Sequence, residues 1–429
     1  MEKILLSATI VILILILIRK DPLSPASFFG IVSALNGITF YIGSILHLFP
    51  RTMSFWYYIT QDYNDVNTKV LLFYLSLSLL GYAIDLTVKR TSVRRGKLNI
   101  NIDNINWGKY IESSYSLIVL FSMCWLVLWH LVNVNIPKMF FYTTYLEVRD
   151  PVKVGLTNDL LATIHTFLPT LGMLLSPLVV YFYARHRWAH FITALLLFVY
   201  SFLFTIAIGS RFILIHLSLI TLTVFLMRKK ITISVVLLAL LTLIAYGTLM
   251  AQRYVNVAYG IRPFFDVLFS GDFLVLGYYL FSIYNFFGGG FVMAEAFQRE
   301  RLFYPLRYKV LSFSPLPSII DGFSKIRHYE HRVIPTGPFN SFAEVYHFGW
   351  GFFIFLIVFL AVLLYQATKL WRRANAPIYV FILLFPLYYA VLRMQIYQLR
   401  QVFRWFVLAL FIAVVMNTLT HRKPNNHWC

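Results

Sequence analysis

Apolar runs of bilayer length recur from one end of the chain to the other, and this repetition restricts the fold more than any other feature of the sequence. A hydrocarbon core about 30 Å thick takes roughly 20 residues of helix. On that ruler, spans are expected near 3–18, 27–49, 68–88, 113–134, 159–184, 191–208, 212–227, 231–250, 346–370, 377–392 and 402–420, about eleven in all. The composition agrees: 59% of residues are hydrophobic and 13% charged, against about 25% charged in an ordinary soluble domain. The expected fold class is therefore all-α, a polytopic integral membrane helix bundle. Met1 to Ile18 is followed by "RKDPLSP" and no small-residue cleavage site, so the first apolar segment is expected to be retained.

The formal net charge is +20, and its placement decides what it means. Basic residues cluster between apolar runs: Arg19-Lys20, the Lys89 to Lys97 group, Arg185 and Arg187, Arg228-Lys229-Lys230, Arg372-Arg373 and Arg422-Lys423. This is the positive-inside pattern, in which such clusters face anionic head groups on the cytoplasmic side. It places the N-terminus outside and the C-terminus inside, with membrane lipids as partners and no role for nucleic acid. The two cysteines, Cys124 and Cys429, build neither a disulfide framework nor a metal site.

Four regions follow: transmembrane helices over 1–190, helices around a Gly-Ser-Arg turn over 191–250, a large external loop over 251–345, and C-terminal helices over 346–429. A connection as long as 251–345 usually carries function. Its stretch "DFLVLGYYLFSIYNFFGGGF" suits short interfacial or re-entrant helices, while "SFSPLPS" and "IPTGPF" favour rigid turns. No internal repeat is visible.

Several arginines sit on the side where the charge bias disfavours them. Arg211 interrupts the apolar run from Phe191 to Met227, at what reads as a tight turn between two helices. Arg253 follows the next external helix end. Arg393, Arg400 and Arg404 recur at spacings of seven and four, which on one helix aligns them on a single face with Tyr397 between. Single arginines at helix ends often snorkel to head-group phosphates. Three on one face repel unless an anion lies opposite, acidic partners in the neighbouring spans are scarce, and a phosphate-bearing ligand suits planar guanidinium forks.

"IGSRFILIHL", "AQRYVNVAYG", "SFSPLPS", "VIPTGPFNSFAEVYHFGWGFF" and the final R-x6-R-x3-R together resemble the Wzy-type O-antigen and oligosaccharide repeat-unit polymerases, over Ala207 to Phe406. The N-terminal half is similar only in hydropathy. That resemblance implies a GT-C type glycosyltransferase of the bacterial inner membrane, joining undecaprenyl-pyrophosphate-linked glycans at the periplasmic face and releasing polyprenyl pyrophosphate. It implies no cofactor and no metal, and a chain-length-regulating co-polymerase as a partner. Arg211, Arg253, Arg393 and Arg404 fall at the family's pyrophosphate and glycan contacts, and Arg400 and Tyr397 join them on the expected stripe. The family's glutamate maps onto Glu344, although Pro335-Thr336 stands further from it than the family pattern has it.

Glu344 is the expected general base, placed at the start of a span near Tyr346, where a helix N-terminus keeps a carboxylate ionised. His331, in "RHYEHR", is the rival, with an ordinary pKa of about 6.5. His328 and His331 lack the third ligand a zinc site needs. His216 reads as a satisfied bundle histidine. No phosphate loop ending in Lys-Ser/Thr is present. External aromatics such as "SFWYYITQDY" suit either sugar stacking or an interfacial belt. A ligase delivering glycan to lipid A core and a flippase for the same lipid-linked sugar are the alternatives; a flippase would line both leaflets with charge.

Overall fold

The computed structural model describes residues 2–46, 64–94, 111–141, 150–228, 232–255, 259–270, 289–299, 302–316, 320–333, 340–373, 377–395 and 397–419. Among them the regular structure is helical, without a strand. The helices are α1 (Glu2–Lys20), α2 (Pro25–Leu46), α3 (Asn64–Arg94), α4 (Ser114–Asn133), α5 (Asp159–Ala184), α6 (Trp188–Ala207), α7 (Phe212–Arg228) and α8 (Ile233–Val255). The short α9 (Ile261–Leu268), α10 (Gly289–Gln298) and α11 (Leu306–Ser312) follow, then a 3-10 helix over Phe323–His331. The chain ends with α12 (Ser341–Phe348), α13 (Trp350–Arg373), α14 (Pro377–Leu383), α15 (Phe385–Arg393) and α16 (Leu399–Leu419).

Eight of these helices, α2 to α6, α8, α13 and α16, are long and apolar enough to cross a membrane, which makes the chain a polytopic helical membrane protein. The other expected spans are helical too, but differ from a simple crossing for identifiable reasons. Helix α1 carries Glu2 and Lys3 at one end and Arg19 and Lys20 at the other. Helix α7 is shorter, at 17 residues. The expected span 377–392 is broken into α14 and α15, because Pro386 in the first turn of α15 has no N–H to continue the helix through Leu384.

Helices pack as two compact units, Met1–Ile105 with Tyr284–Cys429, and Asn106–Ile283. In the first, Ile10, Leu13 and Leu17 of α1 meet Ala34 of α2 and Leu71 and Leu75 of α3. Helices α2 and α3 approach closely at Gly81, where a Cβ would lie 2.5 Å from the Ala26 carbonyl oxygen. Small residues permit such contacts where helix association depends on van der Waals fit.

The first unit has two polar ends. At one, Asp85 of α3 accepts from Ser24 Oγ at 3.0 Å and from Arg372 Nη2 of α13 at 2.8 Å, while Trp371 Nε1 donates to Asp21 at 2.8 Å. The basic clusters at 19–20, 89–90 and 372–373 thus belong to one end. At the other end lie Tyr74, Asn340, Glu344 and the arginines beyond α15. Tyr74 and Asp85 are eleven residues apart on α3, or about 16 Å of helix.

In the second unit the run from Phe191 to Met227 makes two helices joined by a tight turn, as its length requires. Gly209 takes φ +58, and the amides of Gly209 and Ser210 donate to the carbonyls of Ile206 and Thr205 at 2.9 and 3.0 Å. That left-handed conformation is one glycine adopts without strain.

Candidate functional site

The site begins with a turn between two helices. Residues 393 to 404 do not form one helix: Arg393 closes α15, Tyr397 stands in the turn, and Arg400 and Arg404 open α16. The single stripe expected from the spacing is therefore corrected. The turn is fastened by the start of α12, where the Ser341 amide donates to Met394 O and its hydroxyl to Tyr397 O, both at 2.9 Å. Asn340 caps α12 by accepting from the Phe342 and Ala343 amides at 2.8 and 3.2 Å. Its Nδ2 donates to Tyr74 Oη and Gln395 Oε1, both at 3.3 Å. Tyr74 completes the triangle by donating to Gln395 Oε1 at 3.0 Å.

Each arginine has a distinct setting. Buried Arg393 lies 4.9 Å from the ring centroid of Tyr389 and 3.5 Å from that of Tyr397, and its Nη1 donates to the Tyr389 hydroxyl. A guanidinium gains from such closeness to aromatic rings. Buried Arg400 donates to the Leu311 carbonyl, to Leu316 O at 2.9 Å and to Asp321 Oδ2 at 2.5 Å, with Phe323 4.1 Å beneath it. Asp321, in the segment between α10 and α12, is thus the counterion that the spans, scarce in acids, do not supply. Burial raises the Asp321 carboxyl, but hydrogen bonds from Arg400, Ser314 and the Phe323 amide, with the Arg400 charge, outweigh it and hold the carboxyl below its usual range. Arg404 donates to Leu316 O and is the most open of the three.

Glu344 lies inside α12, a short helix of its own. Gly349 at φ +104 separates α12 from α13, so the glutamate does not open the span. Tyr308 Oη of α11 donates to Glu344 Oε1 at 2.6 Å, and the Leu399 amide, first in α16, donates to Oε2 at 2.8 Å. The carboxylate therefore caps the helix that carries Arg400 and Arg404. Burial pushes its pKa up to about 7, against the pull of these two donors and with nearby Glu330 adding to the rise. The expectation of a firmly anionic carboxylate is corrected: loss of water outweighs the field of an eight-residue helix whose N-cap is already Asn340. Burial and the Glu344 charge drive the Tyr308 hydroxyl far upward, so it stays a donor. Tyr308 stacks on Tyr304 and Phe323 at 5.3 and 5.4 Å. Nothing described lies within 4 Å of a Cβ at Gly349 or Gly351, leaving open space beside this cluster.

Glu344, Arg393, Tyr397, Arg400 and Arg404 thus share one end of the first unit. Arg211 and Arg253 belong to the second. Arg211 is half-exposed in the turn before α7 and makes no ion pair or side-chain hydrogen bond to any described residue. Arg253 stands in the last turn of α8 rather than beyond it. The side chains of Arg253 and His331, "SFWYYITQDY", "IPTGPF" and most of "DFLVLGYYLFSIYNFFGGGF" lie outside the described residues. His216 Nε2 donates to Pro169 O at 2.8 Å. Among the described residues, no three His, Cys, Asp or Glu side chains are grouped to hold a metal.

Sequence reasoning missed Tyr308, Asp321, Asn340 and Tyr74. The Asn340 cap had a local signal, an Asn followed by Ser-Phe-Ala-Glu at a helix start, and Asp321-Gly322 is a turn dipeptide. Tyr308 and Tyr74 had none. Comparison with protein-family models, with curated proteins and with solved structures finds no match to this chain.

Proposed function

We propose that this protein is a membrane glycosyltransferase that polymerises polyprenyl-pyrophosphate-linked oligosaccharide repeat units at the periplasmic face of a bacterial inner membrane. One observation carries the reading: a buried glutamate with a pKa near 7 is hydrogen-bonded to the first amide of the helix bearing Arg400 and Arg404. A proton acceptor and a guanidinium group for phosphate are thereby held in one frame. The end of the first unit bearing them is opposite the basic clusters, which agrees with a periplasmic site under the positive-inside rule.

In this reading a sugar hydroxyl of one lipid-linked unit attacks the anomeric carbon of another. The bond from that carbon to the pyrophosphate oxygen breaks, the pyrophosphate keeps the electron pair, and the hydroxyl proton passes to Glu344. Arg404, open and next to the Arg400 anchor, stabilises the charge on the leaving group. Both Glu344 oxygens are occupied, so an acceptor hydroxyl reaches Oε1 by replacing the Tyr308 hydroxyl. Arg393 and Tyr397, in contact with each other, belong to the turn between α15 and α16. The apolar packing of Leu360, Leu363 and Leu364 in α13 between the two polar ends supports catalysis over translocation.

The test is to incubate purified protein with a synthetic polyprenyl-pyrophosphate repeat unit. A ladder of multimers that Glu344→Gln abolishes while still binding substrate is the expected result. Transbilayer movement without conversion would replace the reading with a flippase, and transfer only to lipid A core would replace it with a ligase.

A further inference from the structure

A chain of three polar rings crosses the apolar interior of the second unit, and the reaction above uses none of them. His130 of α4 and His165 of α5 are buried. His130 Nδ1 lies 2.8 Å from the Tyr200 hydroxyl of α6, and His130 Nε2 lies 3.0 Å from His165 Nδ1. Phe204 meets both imidazoles edge-on, at centroid distances of 6.1 and 4.8 Å. Phe140 meets the Tyr200 ring edge-on at a centroid distance of 6.3 Å. Ionisable side chains inside a membrane bundle are costly, and where they persist they commonly hold protons or ions.

The hydrogen-bond arithmetic restricts what this chain can hold. Two neutral imidazoles bring two ring N–H groups, and the contact between them admits one hydrogen. If it sits on His130 Nε2, then His130 Nδ1 accepts from Tyr200 and His165 keeps its hydrogen on Nε2. If it sits on His165 Nδ1, then His130 Nδ1–H donates to Tyr200. Adding one proton to either form gives the same species, with hydrogens on His130 Nδ1, in the central contact and on His165 Nε2. The resulting charge is shared by both rings. A second proton would have to place two hydrogens in the central 3.0 Å contact.

The surroundings contribute other titratable groups at the margins. On α6, His190 is engaged at the far end with Ser113 O and Ser116 Oγ. On α7, His216 is committed to Pro169 O. Lys138 in the five-residue helix Ile136–Phe140 that follows α4, Asp159 at the start of α5, and Arg262 and Asp266 on α9 are exposed, while Arg211 is half-exposed. We propose that Tyr200, His130 and His165 form a one-proton binding site, in which the two imidazoles take up a single shared proton and, in the charged form, His130 Nδ1–H donates to the Tyr200 hydroxyl.

The experiment is nitrogen-15 NMR on the full-length protein, labelled at histidine, in lipid nanodiscs from about pH 8 to about pH 4, the range that brackets an imidazole. His130→Asn and His165→Asn assign the resonances. The expected result is a through-hydrogen-bond coupling between His130 Nε2 and His165 Nδ1, and one joint step totalling one proton. Tyr200→Phe should lower the midpoint by about 0.5–1 pH unit, because it removes a hydrogen bond that is stronger to the charged ring. Two independent one-proton steps, no uptake over this range, or an unmoved midpoint in Tyr200→Phe would overturn the proposal. Coupling and proton count are read on the unsubstituted protein, so a variant that fails to fold does not remove the test.

Discussion

Replacing Glu344 by glutamine isolates the burial of one carboxyl. Its pKa rises from the ordinary 4.5 to about 7 on folding, so between those values the folded protein holds a proton that the unfolded chain has released. Stability from this group is full below pH 4.5, falls as pH climbs to about 7, and is constant above. The difference in pKa corresponds to about 3 kcal/mol. The substituted amide stays neutral, and its carbonyl can accept from the Leu399 amide while its NH2 donates to Tyr308 Oη, a hydroxyl able to reverse its role. Both native contacts are thereby kept, at 2.8 and 2.6 Å in the parent. Thermal unfolding in detergent, followed by tryptophan fluorescence from about pH 4.5 to about pH 8.5, should show Glu344→Gln gaining on the parent by about 3 kcal/mol as pH rises. An offset that is flat, or that shrinks with pH, would refute the reasoning: the carboxyl would then be ordinary, and its fitness as a base at neutral pH would go with it.

Arg400→Lys should destabilise by about 1–3 kcal/mol in the same unfolding assay, since an ammonium cannot serve Leu311 O, Leu316 O and Asp321 together. Arg404→Lys should unfold much like the parent and lose polymer, and near-normal polymer from it would mean that charge alone suffices. Arg372→Met should cost about 3–5 kcal/mol by leaving Asp85 buried without its cation, and adding Asp85→Asn should recover most of the loss. Gly349→Ala meets no atom within 4 Å, so its cost should be the backbone strain alone, about 1–3 kcal/mol; a larger loss would mean that the turn has less room than it shows.

Helix positions were the most legible part of the chain, because a span must satisfy both length and hydropathy. Helix α5 occupies 159–184 as expected, and the Gly209-Ser210-Arg211 turn lies where two spans had to meet. The failures came where local rules met tertiary contacts. The spacing of Arg393, Arg400 and Arg404 suited one helix face, yet the backbone turns at Met394, because Ser341 and Asn340 bind that turn from more than fifty residues away. The partner of Arg400 is likewise not a residue of a span but Asp321, in the intervening segment. Composition could not foretell the near-neutral pKa of Glu344, which depends on the depth of its burial.

The pairing of Asp85 with Arg372 joins positions 287 residues apart in the chain. At about 5–20 residues per second of synthesis, roughly 15–60 s separate the appearance of the acid from that of its cation. Through that interval α3 has met neither α13 nor the turn beyond α15, so a carboxyl still without its cation stands on a helix already made. The natural outcome is that the last-made helices complete the first unit only after the whole of the second has been synthesised. Truncating the chain after α8 should therefore leave the N-terminal helices the less protected part against proteolysis, although they were made first.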